Sequence, residues 1–218
     1  MRLLACLALA AAGCVSSGPP RDGGRPAPKN ESLLPLATGT NWTYVDMTGA
    51  VFTTRVERVT QIGEEVAYVL RGATVGLSDD RFEPQGDLAV VAPRAGVPHL
   101  VSVGEKEWGM VALGGEAVPL AQPGLARGKS WGGRFAGGGE IYNLKIVCGG
   151  MDDIGTPAGR FRALRVVEEW ENRGELKVSV ENWYAEGVGI VRSIWSCHIP
   201  GYNQRRQLDL RAYQRMGG

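Results

Sequence analysis

Gly128-Lys129-Ser130-Trp131-Gly132 fits the Gly-X-Ser-X-Gly pattern of a nucleophile elbow. In such an elbow a strand runs into a helix, and the sharp turn exposes the serine beside an oxyanion hole. Here the residues that follow, GRFAGGGE (133–140), cannot start a helix, so the serine lacks the element that would present it. GLARGKS (124–130) resembles a phosphate-binding loop but is one residue short, with Pro123 where the first glycine should stand. Cys197-His198 offers a thiol and a base, or two metal ligands, but adjacent strand residues point to opposite faces. His99, the other histidine, lies between Pro98 and Leu100 in a strand-like run. Asp79, Asp80, Glu83 and Asp87 form an acidic loop without calcium-loop spacing. The expectation is a chain with no catalytic residues, no metal and no cofactor.

Two cysteines of the body, Cys148 and Cys197, could form a disulfide in an oxidising compartment. Closing that span would stabilise the fold by about 4 kcal/mol in the chain-entropy model. Against it, a simple meander sets their strands three positions apart, or about 14 Å at 4.8 Å per step, beyond bonding reach. Both outcomes stay open at this stage.

The elements around these residues are strands. The 218 residues include 32 glycines, and long helical runs of Ala, Leu, Glu and Lys are absent after the first dozen. Lys and Arg number 24 against 23 Asp and Glu, a net charge of +1, so the electrostatic footprint of a nucleic-acid binder is missing. The spacing predicts strands at 41–48, 51–62, 65–75, 87–92, 98–103 and 108–113, with a bulge hinted by Val59. Later, Tyr142, Leu144, Ile146 and Cys148 alternate with polar residues, and Val178 and Val180 alternate with Lys177, Ser179 and Glu181. Val191, Trp195 and Cys197 share a face, as do Leu208, Leu210 and Ala212, and GRFRALRVVEEW (159–170) adds a further strand. One-faced strands joined by short turns are antiparallel. The fold class expected is mainly β: an antiparallel, strongly curved sheet, half-barrel or sandwich-like. The Pro-Leu-Ala…Gly-X-X-Trp echo between 35–42 and 119–131 suggests a domain of residues 33–216 in two halves, 33–117 and 118–216.

WYAEGVG (183–189) links two of these strands. Ala185 to Gly189 has a common hairpin-loop length, and its glycines can take positive φ. A structural hairpin is the plainer reading, and a ligand loop the alternative.

The first fourteen residues, MRLLACLALAAAGC, carry one positive charge and then an apolar run too short to span a bilayer. They read as an export signal over 1–13, and Ala11-Ala12-Gly13-Cys14 resembles the lipobox of bacterial lipoproteins. That resemblance implies that Cys14 becomes the lipid-modified, palmitate-bearing first residue. Val15 follows it in place of the aspartate that retains many such proteins at the inner membrane, which favours the outer membrane, facing the periplasm. Residues 15–32, rich in Ser, Gly, Pro and charge, form a flexible tether with a reach of about 24 Å.

LPLATGTNWTY (34–44), TPAGRFRALRV (156–166) and WYAEGVGIVRS (183–193) resemble a family of β-rich bacterial envelope lipoproteins, the TapB-like proteins. The likeness implies an antiparallel periplasmic domain and brings no catalytic residue with it. The function expected is that of a lipid-anchored envelope lipoprotein that binds an apolar ligand or a partner protein without catalysis. Trp131, Trp183 and Trp195 are its candidate ligand-lining residues. An envelope hydrolase or metal-dependent enzyme and a purely structural spacer are the alternatives.

Overall fold

A computed structural model describes residues 33–72, 88–104, 110–113, 116–137, 139–172, 177–199 and 202–216. Cys14, the tether and the acidic loop lie outside the described residues. Thirteen strands occur in chain order: β1 (Asn41–Asp46), β2 (Val51–Ile62), β3 (Glu65–Gly72), β4 (Leu88–Arg94), β5 (Val97–Val103), β6 (Met110–Ala112), β7 (Val118–Pro119), β8 (Ser130–Gly137), β9 (Glu140–Thr156), β10 (Gly159–Glu171), β11 (Lys177–Ala185), β12 (Gly189–Ile199) and β13 (Tyr202–Gln214). Their order in the sheet is β4-β3-β2-β1-β13-β12-β11-β10-β9-β8-β6-β5-β7, and β4 also pairs with β5. That last pairing joins the ends and closes a barrel of twelve strands, with β7 as a second neighbour on β5.

The antiparallel, mainly β class stands, while the half-barrel or sandwich is corrected to a closed barrel. Closure depends on the β4–β5 hairpin, in which Arg94 pairs with Val97 and only Ala95 and Gly96 turn the chain. Both have positive φ, 50° and 79°, as a type I′ turn requires. Arg94 fastens this hairpin to β3 through two hydrogen bonds to the Glu65 carboxylate, at 2.6 and 2.8 Å. Strands from both sides of residue 118 belong to this one sheet.

From β8 to β13 each strand pairs with the next in sequence, so the second half is the meander that one-faced strands require. The irregularity expected near Val59 is a bulge in β2 at Glu57, where the register slips between Val56 and Arg58. β8 was not foreseen, because its glycines hide the strand pattern. A Cβ on Gly132 would lie 2.0 Å from the Leu144 carbonyl oxygen of β9, so only glycine lets these two backbones approach.

The core fills the inside of the barrel. Trp42, Tyr44, Tyr184, Phe135 and Ile146 are among its largest fully buried side chains. The Phe135 and Trp170 rings stand 5.1 Å apart in a tilted arrangement that adds to their area burial.

At one end, the tip of the β9–β10 hairpin reaches across to β13. The β1–β13 register passes from Thr43↔Ala212 to Tyr44↔Leu210, skipping Arg211. The Leu210 carbonyl accepts a hydrogen bond from the Ala158 N–H at 3.0 Å. Arg192 adds a second tie by donating from Nη2 to the Gly155 carbonyl at 3.0 Å.

Candidate functional site

Inside the barrel, cross-strand register sets Trp131 opposite Ile146, Ile146 opposite Glu168, Glu168 opposite Val180 and Val180 opposite Trp195. Directly paired residues share a face, so a carboxylate occupies the middle of an apolar row. Glu168 is 7% exposed. On β11 the inward positions after Val178 and Val180 are Asn182 and, past them, Tyr184, both almost fully buried.

These polar groups touch. Asn182 Nδ2 donates to Glu168 Oε1 at 3.1 Å, and Trp170 Nε1 donates to Oε2 at 3.5 Å. Asn182 Oδ1 is buried and has no hydrogen-bond partner among the described residues. Loss of hydration pushes the Glu168 carboxyl up to about 7, the two donated hydrogen bonds only partly opposing it. Burial also holds the Tyr184 phenol well above its ordinary value, with the nearby Glu168 and Tyr44 adding to the effect and a hydrogen bond with the Asn182 side chain opposing it. Tyr44 itself donates to the Ile190 carbonyl at 2.9 Å.

Glu168, Trp170, Asn182 and Tyr184 form the polar side of a recess of about 40 Å³, whose remaining wall is apolar, with Leu34, Leu70, Val91 and Leu120 among it. Among the described residues, no arginine, lysine or histidine lines it. The volume suits a water molecule or two. It falls far below the roughly 300–1,000 Å³ of ordinary small-molecule pockets.

The three tryptophans expected to line a ligand site do not line this recess; Trp170 does. Trp131 points inward and spends its Nε1–H on the Pro119 carbonyl at 2.6 Å. Trp195 is buried at the far end of the Glu168 row. Trp183 stands opposite Arg165 and Arg192 on the outer face. Its Nε1–H meets Asp152 Oδ2 at 3.0 Å, and the Arg165 guanidinium lies 5.5 Å over its ring while also paired with Glu181. Trp183 and Tyr184 therefore point to opposite sides of β11, as strand alternation demands.

The 183–189 segment is a structural hairpin. Val188 N–H bonds to the Ala185 carbonyl at 3.1 Å, and Gly187 and Gly189 carry φ of 70° and 101°. Trp42 closes it from below by donating Nε1–H to the Val188 carbonyl at 2.5 Å. A Cβ on Gly189 would lie 2.9 Å from that indole nitrogen, so the glycine makes room for the tryptophan.

The remaining candidates stay apart. Ser130 opens β8 and leads into a strand, with no helix behind it, so Gly128–Gly132 builds no elbow. His198 sits on β12, four strands away, where Nδ1 meets Asn203 Oδ1 at 2.9 Å. His99 Nδ1 lies 2.9 Å from the Val97 carbonyl oxygen. No group of three His, Cys, Asp or Glu side chains that could hold a metal occurs among the described residues. The disulfide considered for Cys148 and Cys197 is not formed. Their strands, β9 and β12, are separated by β10 and β11, and the Cys148 thiol instead bonds to the Leu125 carbonyl at 3.4 Å.

Glu168 and Asn182 were missed from sequence. The signal was there: each is a polar residue in the inward phase of a strand whose other inward positions are apolar, after Val166 in one case and Val180 in the other.

No protein-family profile and no curated protein sequence matches the chain, so the TapB-like resemblance rests on its short motifs alone. Among solved structures, a candidate exported protein with a YmcC-like fold from Bacteroides fragilis aligns at a TM-score of 0.45 and 16% identity, over 83% of this chain and 98% of that one. A candidate lipoprotein from Parabacteroides distasonis aligns at 0.40 and 13%, over 84% and 99%. The hypothetical lipoprotein YmcC from Escherichia coli aligns at 0.37 and 10%, over 84% and 89%. At these scores no property of those proteins passes to this chain.

Proposed function

We propose that the chain is a lipid-anchored protein of the bacterial envelope, attached through Cys14, that acts without catalysis by binding a partner protein on the outside of its barrel. Its place is the periplasmic face of the outer membrane, a reading supported by the N-terminal sequence and by Val15 after the anchor. The observation that carries the binding mode is the filled interior. A barrel that carries lipid needs an apolar chamber, and here, among the described residues, aromatic side chains stand inside the barrel and the recess they border measures about 40 Å³. The hydrolase reading gains no support from Ser130, His99 and His198, which the sheet keeps on separate strands.

What remains for recognition is the outer surface. Val59 and Val66, 50% and 52% exposed, share the outer face at the end of the β2–β3 hairpin, where Gln61 pairs with Val66, while Ile62, paired with Glu65, lies in the opposite phase. Apolar side chains grouped in this way mark protein-contact surfaces more often than scattered ones do. A photo-crosslinking residue at position 59 or 66, in cells carrying the lipid-anchored protein, should give one discrete protein adduct. A control at Lys145, on the opposite part of the wall, should give none. Absence of adducts from both hairpin positions would favour a structural spacer and end the partner reading. Palmitate labelling that persists in Cys14→Ser would end the anchor reading separately.

A further inference from the structure

Three features of the barrel interior point the same way. Glu168 is a buried carboxylic acid with two hydrogen-bond donors, one from Asn182 and one from Trp170, and among the described residues no basic side chain lines the recess that it faces. Asn182 Oδ1 is a second buried acceptor on the same recess and has no donor among the described residues. The indole of Trp170 and the phenol of Tyr184 stand beside them. Acceptors, a potential anion and aromatic walls without a cation define what is missing: a compact group that donates several hydrogen bonds and carries positive charge.

We infer that this recess is a binding site for a small ammonium-type cation, ammonium itself or a methylammonium-sized amine, held between Glu168 and Asn182 Oδ1. Size sets the limit. A volume of about 40 Å³ accepts an ion of about the size of water and excludes a long acyl chain or a sugar. An ammonium group satisfies the orphan oxygen and supplies the carboxylate with a counter-charge in the same step, which a water molecule cannot do. Leu34 and Leu120 border the recess on segments outside the long strands.

Binding requires the ionised acid, so it competes with a proton. The titratable groups that act on this cluster are the phenols of Tyr184 on β11 and Tyr44 on β1, and burial holds Tyr184 neutral throughout the range used here. With Glu168 titrating near 7, affinity at pH 6 should be about tenfold weaker than at pH 8.

The test is a titration of the full chain with ammonium chloride and methylammonium chloride at constant ionic strength, read by thermal midpoint and by heat of binding. Methanol serves as the neutral isostere and potassium chloride as the salt control. The expected result is a saturable rise in midpoint at pH 8 with both ammonium salts, about tenfold weaker at pH 6, absent with methanol and potassium, and lost in Glu168→Gln. An equal response to methanol, or no saturable response at either pH, would overturn the proposal and leave a recess for water only. Should Glu168→Gln not fold, the comparison of the two pH values in the unmodified protein decides alone.

Discussion

Asn182 gives an amide proton to Glu168 across the β10–β11 boundary, at 3.1 Å, and leaves its own carbonyl oxygen without a partner. The two residues are offset along neighbouring strands, since Glu168 pairs with Val180 and Asn182 with Val166. A diagonal polar contact thus sits inside an otherwise apolar barrel, and the energetics of the interior turn on it.

The first consequence is a pH dependence of stability. The folded Glu168 carboxyl titrates near 7 against an ordinary value of 4.5, because burial disfavours its charged form. The folded state therefore holds this proton more tightly than the unfolded chain does. The stabilisation is complete below about pH 4.5, falls as pH rises towards 7, and is gone above that; its full size is about 3 kcal/mol. Asp46 and Glu65, whose carboxyls are held below their ordinary values by hydrogen bonds from Thr48 and Arg94, lose stability only in stronger acid. Urea unfolding at pH 5 and pH 8 should show the difference, and Glu168→Gln, which mimics the neutral acid, should remove most of it. Equal slopes in both proteins would show that another group carries the effect.

The hairpin at 185–189 makes a second prediction. Gly189→Ala places a methyl at φ 101° and 2.9 Å from the Trp42 nitrogen, while Gly187→Ala meets a positive φ of 70°. The first should cost about 2–4 kcal/mol and the second about 1 kcal/mol, compared by urea midpoints. A reversal of that order would mean that Trp42 does not close the turn.

The barrel seam offers a stabilising change. Ala95 holds φ of 50° in a two-residue turn where asparagine is strongly preferred. Ala95→Asn should raise stability by about 0.5–1 kcal/mol. A destabilised variant would argue that the seam does not turn at Ala95-Gly96.

The two core thiols should behave as separate buried groups. Mass spectrometry after non-reducing purification should find Cys148 and Cys197 unlinked, with alkylation slow until the chain is denatured. A peptide pair joined between the two would require a different strand order.

Much of the fold was legible because one-faced strands announce themselves. Leu144, Ile146 and Cys148, or Val178 and Val180, alternate with polar neighbours, and short turns between such strands leave antiparallel pairing as the outcome. What was not legible had physical reasons. β8 carries Gly132 and Gly133 where side chains would collide with β9 and with Val118, so its pattern is weak. Closure rests on Ala95-Gly96, a turn without the Asn-Gly or Asp-Gly signal. The tryptophans drew attention by size, yet Trp183 was committed to Arg165 and Asp152 on the outside. The polar contact inside the barrel is made by Glu168 and Asn182, which sequence offers only as two polar residues in an otherwise apolar phase.

The claim on which the rest depends is that this barrel is filled by its own side chains. Native mass spectrometry of the Cys14→Ser protein, isolated from the envelope fraction without denaturant, tests it most directly. The predicted mass is that of the polypeptide, with nothing heavier than water or a small amine retained. A reproducible adduct with the mass of a fatty acid or phospholipid, released only on unfolding, would contradict it.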